Sequence, residues 1–261
     1  MSAKKHRLDL MLVEKGWFDS RQRARAMIMA GNIFINGQRV DKPGFSVSSS
    51  DTIECQGRDL AYVSRGGLKL EAALQHFSFD VTAAVCMDVG ASTGGFTDCL
   101  LQHGAKRVYA VDVGYGQLAW KIRQNPRVIV MERTNVRYLK ADALPERVDV
   151  ITIDVSFISL KIVVPAVVPF MKPDASILAL IKPQFEVGKG QVGKGGVVRD
   201  ARQHEQVIRA LADYFRGRQL KPESVYPSPV PGPKGNREFF MRLRPQSSLS
   251  ESDFPVGPDS G

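Results

Sequence analysis

The sequence predicts an α/β protein: a doubly wound parallel sheet with a small α+β unit in front of it. Three observations predict this. From about Val63 onward, short runs rich in valine and isoleucine alternate with segments of helical spacing, the order that builds a parallel sheet covered on both faces. One of the first, "MDVGASTGGFTDCLL", passes from strand through a glycine-rich turn into a helix. Before Val63 the pattern differs, with two short helical segments and then residues alternating around Asn36-Gly37.

In the leading unit, Leu8, Met11 and Leu12 of "RLDLMLVEKG" fall at helical spacing, and Gly16 ends that helix. Ser20 can cap a second helix, "RQRARAMIMAG", closed by Gly31. "NIFINGQRV" reads as a hairpin and "SVSSSDTIEC" as a further strand. In the larger unit the expected strands are "AAVCMDVGAS", "RVYAVDVG", "RVIVMERTNV", "RVDVITIDVSF" and "SILALIKPQF". "GGFTDCLLQHG", "GQLAWKIRQN" and "SLKIVVPAVVPFM" are the helices between them. "RDARQHEQVIRALADYFRGRQL" is a long late helix, with Ile208, Leu211 and Phe215 at core spacing. "SVYPSPV" and "REFFMRLRP" close the sheet as a final pair. The expected division is residues 1–62, residues 63–245 and a disordered Ser/Pro/Gly/acid-rich tail, 246–261.

With 261 residues, 43% of them hydrophobic, the chain can bury a sizeable core. Its net charge of +9 points to a polyanionic partner, nucleic acid or an acidic membrane surface, though a merely solubilising surface has the same composition. The excess begins early: Lys4, Lys5, Arg7, Lys15, Arg21, Arg23 and Arg25 stand against Asp9, Glu14 and Asp19. Arg21 and Arg25 share a helix face. Guanidiniums fork onto phosphates, so Lys4, Lys5, Arg7, Arg21, Arg23 and Arg25 are expected to contact RNA. Cys55, Cys86 and Cys99 lack metal-ligand spacing, and His6, His76, His103 and His204 are scattered, so no metal site is expected. Few cysteines, no signal-peptide pattern and no apolar run near ~18 residues fit a cytoplasmic protein without stable membrane insertion. Oligomeric state is left open.

The chemistry gathers at strand ends. Asp88 ends a strand, Gly90, Gly94 and Gly95 fill the turn, and such glycines let the backbone pass close to a ligand. Ser92 stands where a dinucleotide fingerprint wants its second glycine, which disfavours an oxidoreductase. Asp112 ends the next strand, where an acid can take both ribose hydroxyls, and Asn135 or Asp142 can lie near an adenine. "GKGQVGKG" nearly spells a phosphate-binding loop, but Gly195 replaces its hydroxyl residue. It reads instead as a mobile basic loop whose Lys189 and Lys194 can fold over RNA, or as a surface loop with no role. Asp154 and Lys182 end the fourth and fifth strands, facing the ligand crevice of an open sheet. Glu238 begins the last strand, and Lys69 lies on the helix entering the larger unit. Two structural ion pairs would use the same residue types.

Several resemblances rest on these residues. "SRQRARAMIMAGNIFINGQRV" resembles the alpha-L RNA-binding module of a small-subunit ribosomal protein and of pseudouridine synthases. The order Asp88, Gly90, Ser92, Gly94 resembles the first motif of S-adenosylmethionine methyltransferases. Lys69, Asp154, Lys182 and Glu238 resemble the Lys-Asp-Lys-Glu tetrad of FtsJ/RrmJ-type ribose 2′-O-methyltransferases. Their contexts, "SRGGLKL", "TIDVSFISL", "LIKPQFEVGKGQVGKGGVVRD" and "GNREFFMRL", behind an alpha-L module, resemble the TlyA family over residues 7 to 244. The join "DLAYVSRGG" departs from the tryptophan-bearing linker of some members. The resemblance implies a Rossmann-like methyltransferase sheet that binds S-adenosylmethionine through Asp88, Gly90, Ser92, Gly94, Gly95, Phe96, Asp112 and Asn135. It also implies 2′-O-methylation of cytidine in ribosomal RNA or ribosomal subunits. Lys182 would activate or steer the hydroxyl, Asp154 and Glu238 would orient Lys182, and Lys69 would position the ribose or a phosphate. Members are often called haemolysin-like, so a membrane-active protein is one rival expectation. A non-catalytic RNA-binding assembly factor is another.

Overall fold

The computed structural model describes residues 6–18, 20–48, 51–55, 61–188, 190–193 and 195–246. Lys4, Lys5, Lys189, Lys194 and residues 247–261 of the expected tail lie outside the described residues.

The leading unit runs β1 (His6–Arg7), α1 (Leu8–Glu14), α2 (Arg21–Met29), β2 (Ile33–Ile35), β3 (Gln38–Val40), β4 (Ser46–Val47) and β5 (Ile53–Cys55). The Ser20 hydroxyl caps α2 by accepting from Arg23 N. Asn36 and Gly37 take φ of 51° and 77°, the positive pair that a tight hairpin turn needs between β2 and β3. β4 pairs with β1 and β5 with β2, so the strand expected over "SVSSSDTIEC" is split between two sheets. Leu8, Leu12, Ile28 and Ile33 are fully buried and anchor a small core.

The larger unit opens with α3 (Gly66–His76), followed by β6 (Val85–Val89), α4 (Gly95–Gln102), β7 (Arg107–Val111), α5 (Trp120–Arg123), β8 (Val128–Met131), β9 (Val148–Ile153) and α6 (Leu160–Val167). It continues with β10 (Met171–Ile181), α7 (Pro183–Glu186), α8 (Ala201–Arg216), β11 (Leu220–Pro227) and β12 (Phe239–Pro245). These strands form a seven-stranded sheet in the order β11-β12-β10-β9-β6-β7-β8, in which β12 alone runs opposite to the rest. Apolar side chains cover both faces, Ile151, Val163 and Phe215 on one and Leu70, Leu100 and Phe240 on the other. Cys86 and Cys99 are buried in this core. The helix expected over "GQLAWKIRQN" shrinks to the four residues of α5, because Gly116 takes φ +68° and Ala119, at ψ 139°, is not helical. The chain lays β7 and β8 on one side of β6, then returns to lay β9 and β10 on the other. The switch between β6 and β9 opens a crevice at their carboxyl ends.

Candidate active site

Gly90 and Asp154 leave β6 and β9 side by side. Asp154 N donates to Val89 O at 2.9 Å. A Cβ on Gly90 would stand 2.4 Å from the Asp154 carbonyl oxygen, and φ there is +86°, so the position calls for glycine. Two cavities meet at this point. One, of about 320 Å³, is lined by Lys69, Gly95, Phe96, Asp154, Lys182 and Glu238 among others. The other, of about 570 Å³, is lined by Asp112, Val113, Asn135, Val155 and Phe157 among others. They share Gly90, Ser92 and Asp154.

The structure brings the four charged residues together as two ion pairs. Lys69 Nζ lies 2.6 Å from Glu238 Oε2, and Lys182 Nζ lies 2.6 Å from Asp154 Oδ1. Each comes from a different element: α3, the end of β10, the end of β9 and the start of β12. Ile181 faces Phe239 in the antiparallel register, so Lys182 and Glu238 adjoin at the sheet's end. Yet Glu238 is met by Lys69 from α3, not by Lys182, which corrects the expectation that Glu238 orients Lys182. Ser156 takes that second place on Lys182 instead, its hydroxyl accepting from Nζ at 3.0 Å. Lys69, Lys182 and Glu238 are all buried. Burying charge is costly even when it is paired, so two such pairs in one cavity wall argue for a chemical role.

In the larger cavity the two Asp112 oxygens accept from Ser92 N and Gly114 N, each at 2.7 Å. Each oxygen keeps acceptor capacity for a ribose hydroxyl. Asn135 Oδ1 accepts from Arg137 N at 3.2 Å. A carboxylate for a diol, apolar walls at Val113, Val155 and Phe157, and a turn bare of side chain at Gly90 fit an adenosine-bearing cofactor. Ser92 is held against the acid in left-handed backbone, φ +48°.

Other expected contacts are placed elsewhere. Asp88 is fully buried and lines neither cavity, because it turns toward α4 and β9 and accepts from Thr97 Oγ1 at 2.6 Å and Thr152 Oγ1 at 3.0 Å. Burial pushes its carboxyl up to about 6, against those two hydroxyls. Gly94 caps α4 at φ +96°, and a Cβ there would meet Leu118 and Ile122, so it serves packing. Asp142 is exposed and lines neither cavity. Arg7 and Arg21 share the buried Asp9, with Nε atoms 3.0 and 2.9 Å from its two oxygens, and each stays about half exposed. Burial works to raise the Asp9 carboxyl, but the two guanidiniums outweigh it and hold it below the ordinary carboxylate range. Arg25 faces solvent, whereas Arg23 lines a cleft shared with Val63, Trp120 and Lys121.

Three features went unread in the sequence. One is Ser156. Another is Phe157, 90% exposed at φ +63°, its ring centroid 4.8 Å from that of Phe185. An aromatic just past a strand-end acid, as in "TIDVSF", was the available signal. The third is a wall supplied by the leading unit, since Ala26, Met29 and Ala30 line the smaller cavity. At the join, Tyr62 is buried and donates to Glu71 Oε1 at 2.9 Å. Its ring occupies the space that a Cβ on Gly67 would need.

A model described as FtsJ-like methyltransferase matches residues 62–244, and an S4 domain model matches residues 6–53. The chain is 47% identical over 251 residues to the 16S/23S rRNA (cytidine-2′-O)-methyltransferase TlyA of Mycobacterium tuberculosis, covering 96% of this chain and 94% of that one. It is 39% identical over 238 residues to Hemolysin A of Brachyspira hyodysenteriae, covering 91% of this chain and 99% of that one. A solved hemolysin-like structure from Streptococcus thermophilus matches with a TM-score of 0.73 and 41% identity, covering 96% of this chain and 94% of that one. Two adjoining cavities at the switch point and a match across the whole sheet agree: the chain is an S-adenosylmethionine-dependent methyltransferase and belongs to the FtsJ-like family, with an S4 domain ahead of its catalytic sheet.

Proposed function

We propose that this chain methylates the 2′-oxygen of a cytidine ribose in ribosomal RNA, with the Lys182–Asp154 pair acting on the hydroxyl. The observation that carries the reading is the pair of ion pairs, Lys69–Glu238 and Lys182–Asp154, in a cavity that adjoins the cofactor cavity at Gly90, Ser92 and Asp154. The 47% identity to a cytidine 2′-O-methyltransferase supports the substrate class, and the S4 match supports RNA as the partner. It follows that the protein works in the cytoplasm, where ribosomal subunits are assembled.

Bound S-adenosylmethionine supplies a methyl group on a sulfonium, whose sulfur leaves as a neutral thioether. The Asp112 carboxylate would hold the ribose of the cofactor and Asn135 would border its adenine, while the bare backbone of Gly90 keeps that cavity open to its neighbour. Asp154 and Ser156 fix Lys182 Nζ, leaving its third tetrahedral direction for the acceptor oxygen. The proton shed as the new C–O bond forms passes to the Lys182–Asp154 pair. Lys69, held by Glu238, bounds the ribose on the other side. Much of the acceleration comes from holding the acceptor in line.

The test is Lys182→Met, assayed for transfer of labelled methyl to ribosomal RNA and for folding by thermal melting. Loss of at least 100-fold in turnover with intact folding is expected, by the usual worth of a positioned acid-base group. Normal turnover rejects the assignment. Mapping ribose methylation in ribosomal RNA with and without the protein then fixes the nucleotide. Among the described residues no helix is long and apolar enough to cross a membrane. Lysis of lipid vesicles by the purified protein without cofactor would favour the haemolysin-like reading instead.

A further inference from the structure

The smaller cavity carries five charged side chains: Arg65, Lys69, Asp154, Lys182 and Glu238. Two acids neutralise two lysines. Arg65 has no hydrogen bond, ion pair or ring contact among the described residues, so the cavity wall keeps one uncompensated positive charge. Arg65 stands just ahead of α3 in helical backbone, four residues before Lys69, so the two side chains leave on the same side. We infer that Arg65 is an anion subsite, and that its ligand is the phosphodiester attached at the 3′-oxygen of the target ribose.

The inference rests on the ribose-methylation reading and deepens it. On any ribose the 2′-oxygen and the 3′-phosphate are neighbours, so a pocket that holds the 2′-oxygen at Lys182 draws that phosphate into the same cavity. A guanidinium offers a planar fork that matches two phosphate oxygens and stays charged at any working pH. The ion-paired lysines are poorly placed for that task. The same cavity is lined by Gly90, Ser92 and Thr93, so the rival anion is the carboxylate of the cofactor's methionine portion.

The experiment compares the full-length parent with Arg65→Gln and Arg65→Lys. It measures RNA binding across a salt series, S-adenosylmethionine binding by calorimetry, and melting temperature. Arg65→Gln is expected to weaken RNA binding about tenfold and reduce the slope of log affinity against log salt by about one, leaving cofactor affinity unchanged. Arg65→Lys is expected to restore the slope, because it keeps the charge, but not the full affinity, because it lacks the fork. An unchanged slope in Arg65→Gln overturns the inference. So does a tenfold loss of cofactor affinity, which assigns the site to the carboxylate. A parent that binds RNA but transfers no methyl to it fails the underlying reading, while the salt slope still decides on Arg65.

Discussion

A tetrahedral nitrogen with two fixed partners has one direction left, and Ser156 is one of the two that fix Lys182. Ser156→Ala is therefore expected to lower kcat about tenfold with little change in KM for RNA or cofactor, by the usual worth of a hydrogen bond to a charged group. Ser156→Thr, which keeps the hydroxyl, should restore it; equal loss in both variants would show a packing role. Asp88 makes the contrasting case of a buried acid with no substrate to meet. Its carboxyl is raised from 3.8 to about 6, chiefly by burial. Below pH 3.8 it is protonated in both folded and unfolded chains and costs nothing. As pH climbs to 6 the unfolded chain ionises first, so stability drains away across that window, by about 3 kcal/mol. Asp88→Asn lacks this term. The stability of the variant minus that of the parent, measured by denaturant titration, should rise by about 2 kcal/mol from pH 4 to pH 7, whatever constant offset the lost hydroxyl contacts impose. The positions of Lys69, Asp154, Lys182 and Glu238 were legible because charge beside an apolar strand is conspicuous. Where each side chain points was not. Nothing local in the sequence tells that Asp88 turns to Thr97 and Thr152, that Glu238 meets Lys69, or that Asp9 binds Arg7 and Arg21.

At the scale of elements, the turn after β6 decides whether two cavities can join. Gly90→Ala would set a methyl 2.4 Å from a backbone oxygen that cannot move without breaking the β6–β9 contact, in backbone at φ +86°. The expected outcome is a cost on the order of 3 kcal/mol and more than tenfold weaker cofactor binding. Gly116→Ala is the control, since φ is +68° there but no atom lies within 4 Å of the added methyl. It should cost about 1 kcal/mol and leave cofactor binding intact by calorimetry. Similar losses for both would mean that backbone strain, not the close approach, sets the requirement. The parallel strands were legible as elements because burial on both faces writes itself as unbroken valine and isoleucine. α5 was misjudged because Leu118 and Ile122 keep helical spacing while Gly116 and Ala119 do not keep helical backbone. β4 and β5 were merged because two short strands serving different sheets leave one continuous alternating pattern.

At the scale of the whole molecule, the S4 unit both borders the cavity that holds the two ion pairs and carries basic side chains. Gln22 Nε2 on α2 donates to the Gln117 carbonyl at 2.8 Å, across 95 residues of sequence. Ala26 and Met29 on the same helix, with Ala30 just past its end, line the cavity with Lys69 and Lys182. No sequence pattern could have revealed this, because periodicity describes each unit alone and the docking of one on the other leaves no period. The arrangement separates two roles that a simple tethered RNA-binding module would not have. On the proposed function, Arg7 and Arg21, fixed on Asp9 yet about half exposed, would contact phosphates, while α2 would limit what enters beside Lys182. Ala26→Trp in the full chain tests that separation. A bulky ring in a cavity of about 320 Å³ should block the acceptor. Methyl transfer is expected to fall at least tenfold, with cofactor affinity and the salt slope of RNA binding unchanged, since neither Asp112 nor any basic residue is altered. If transfer persists at the parent rate, α2 is no wall of the working site, and the S4 unit acts through affinity alone.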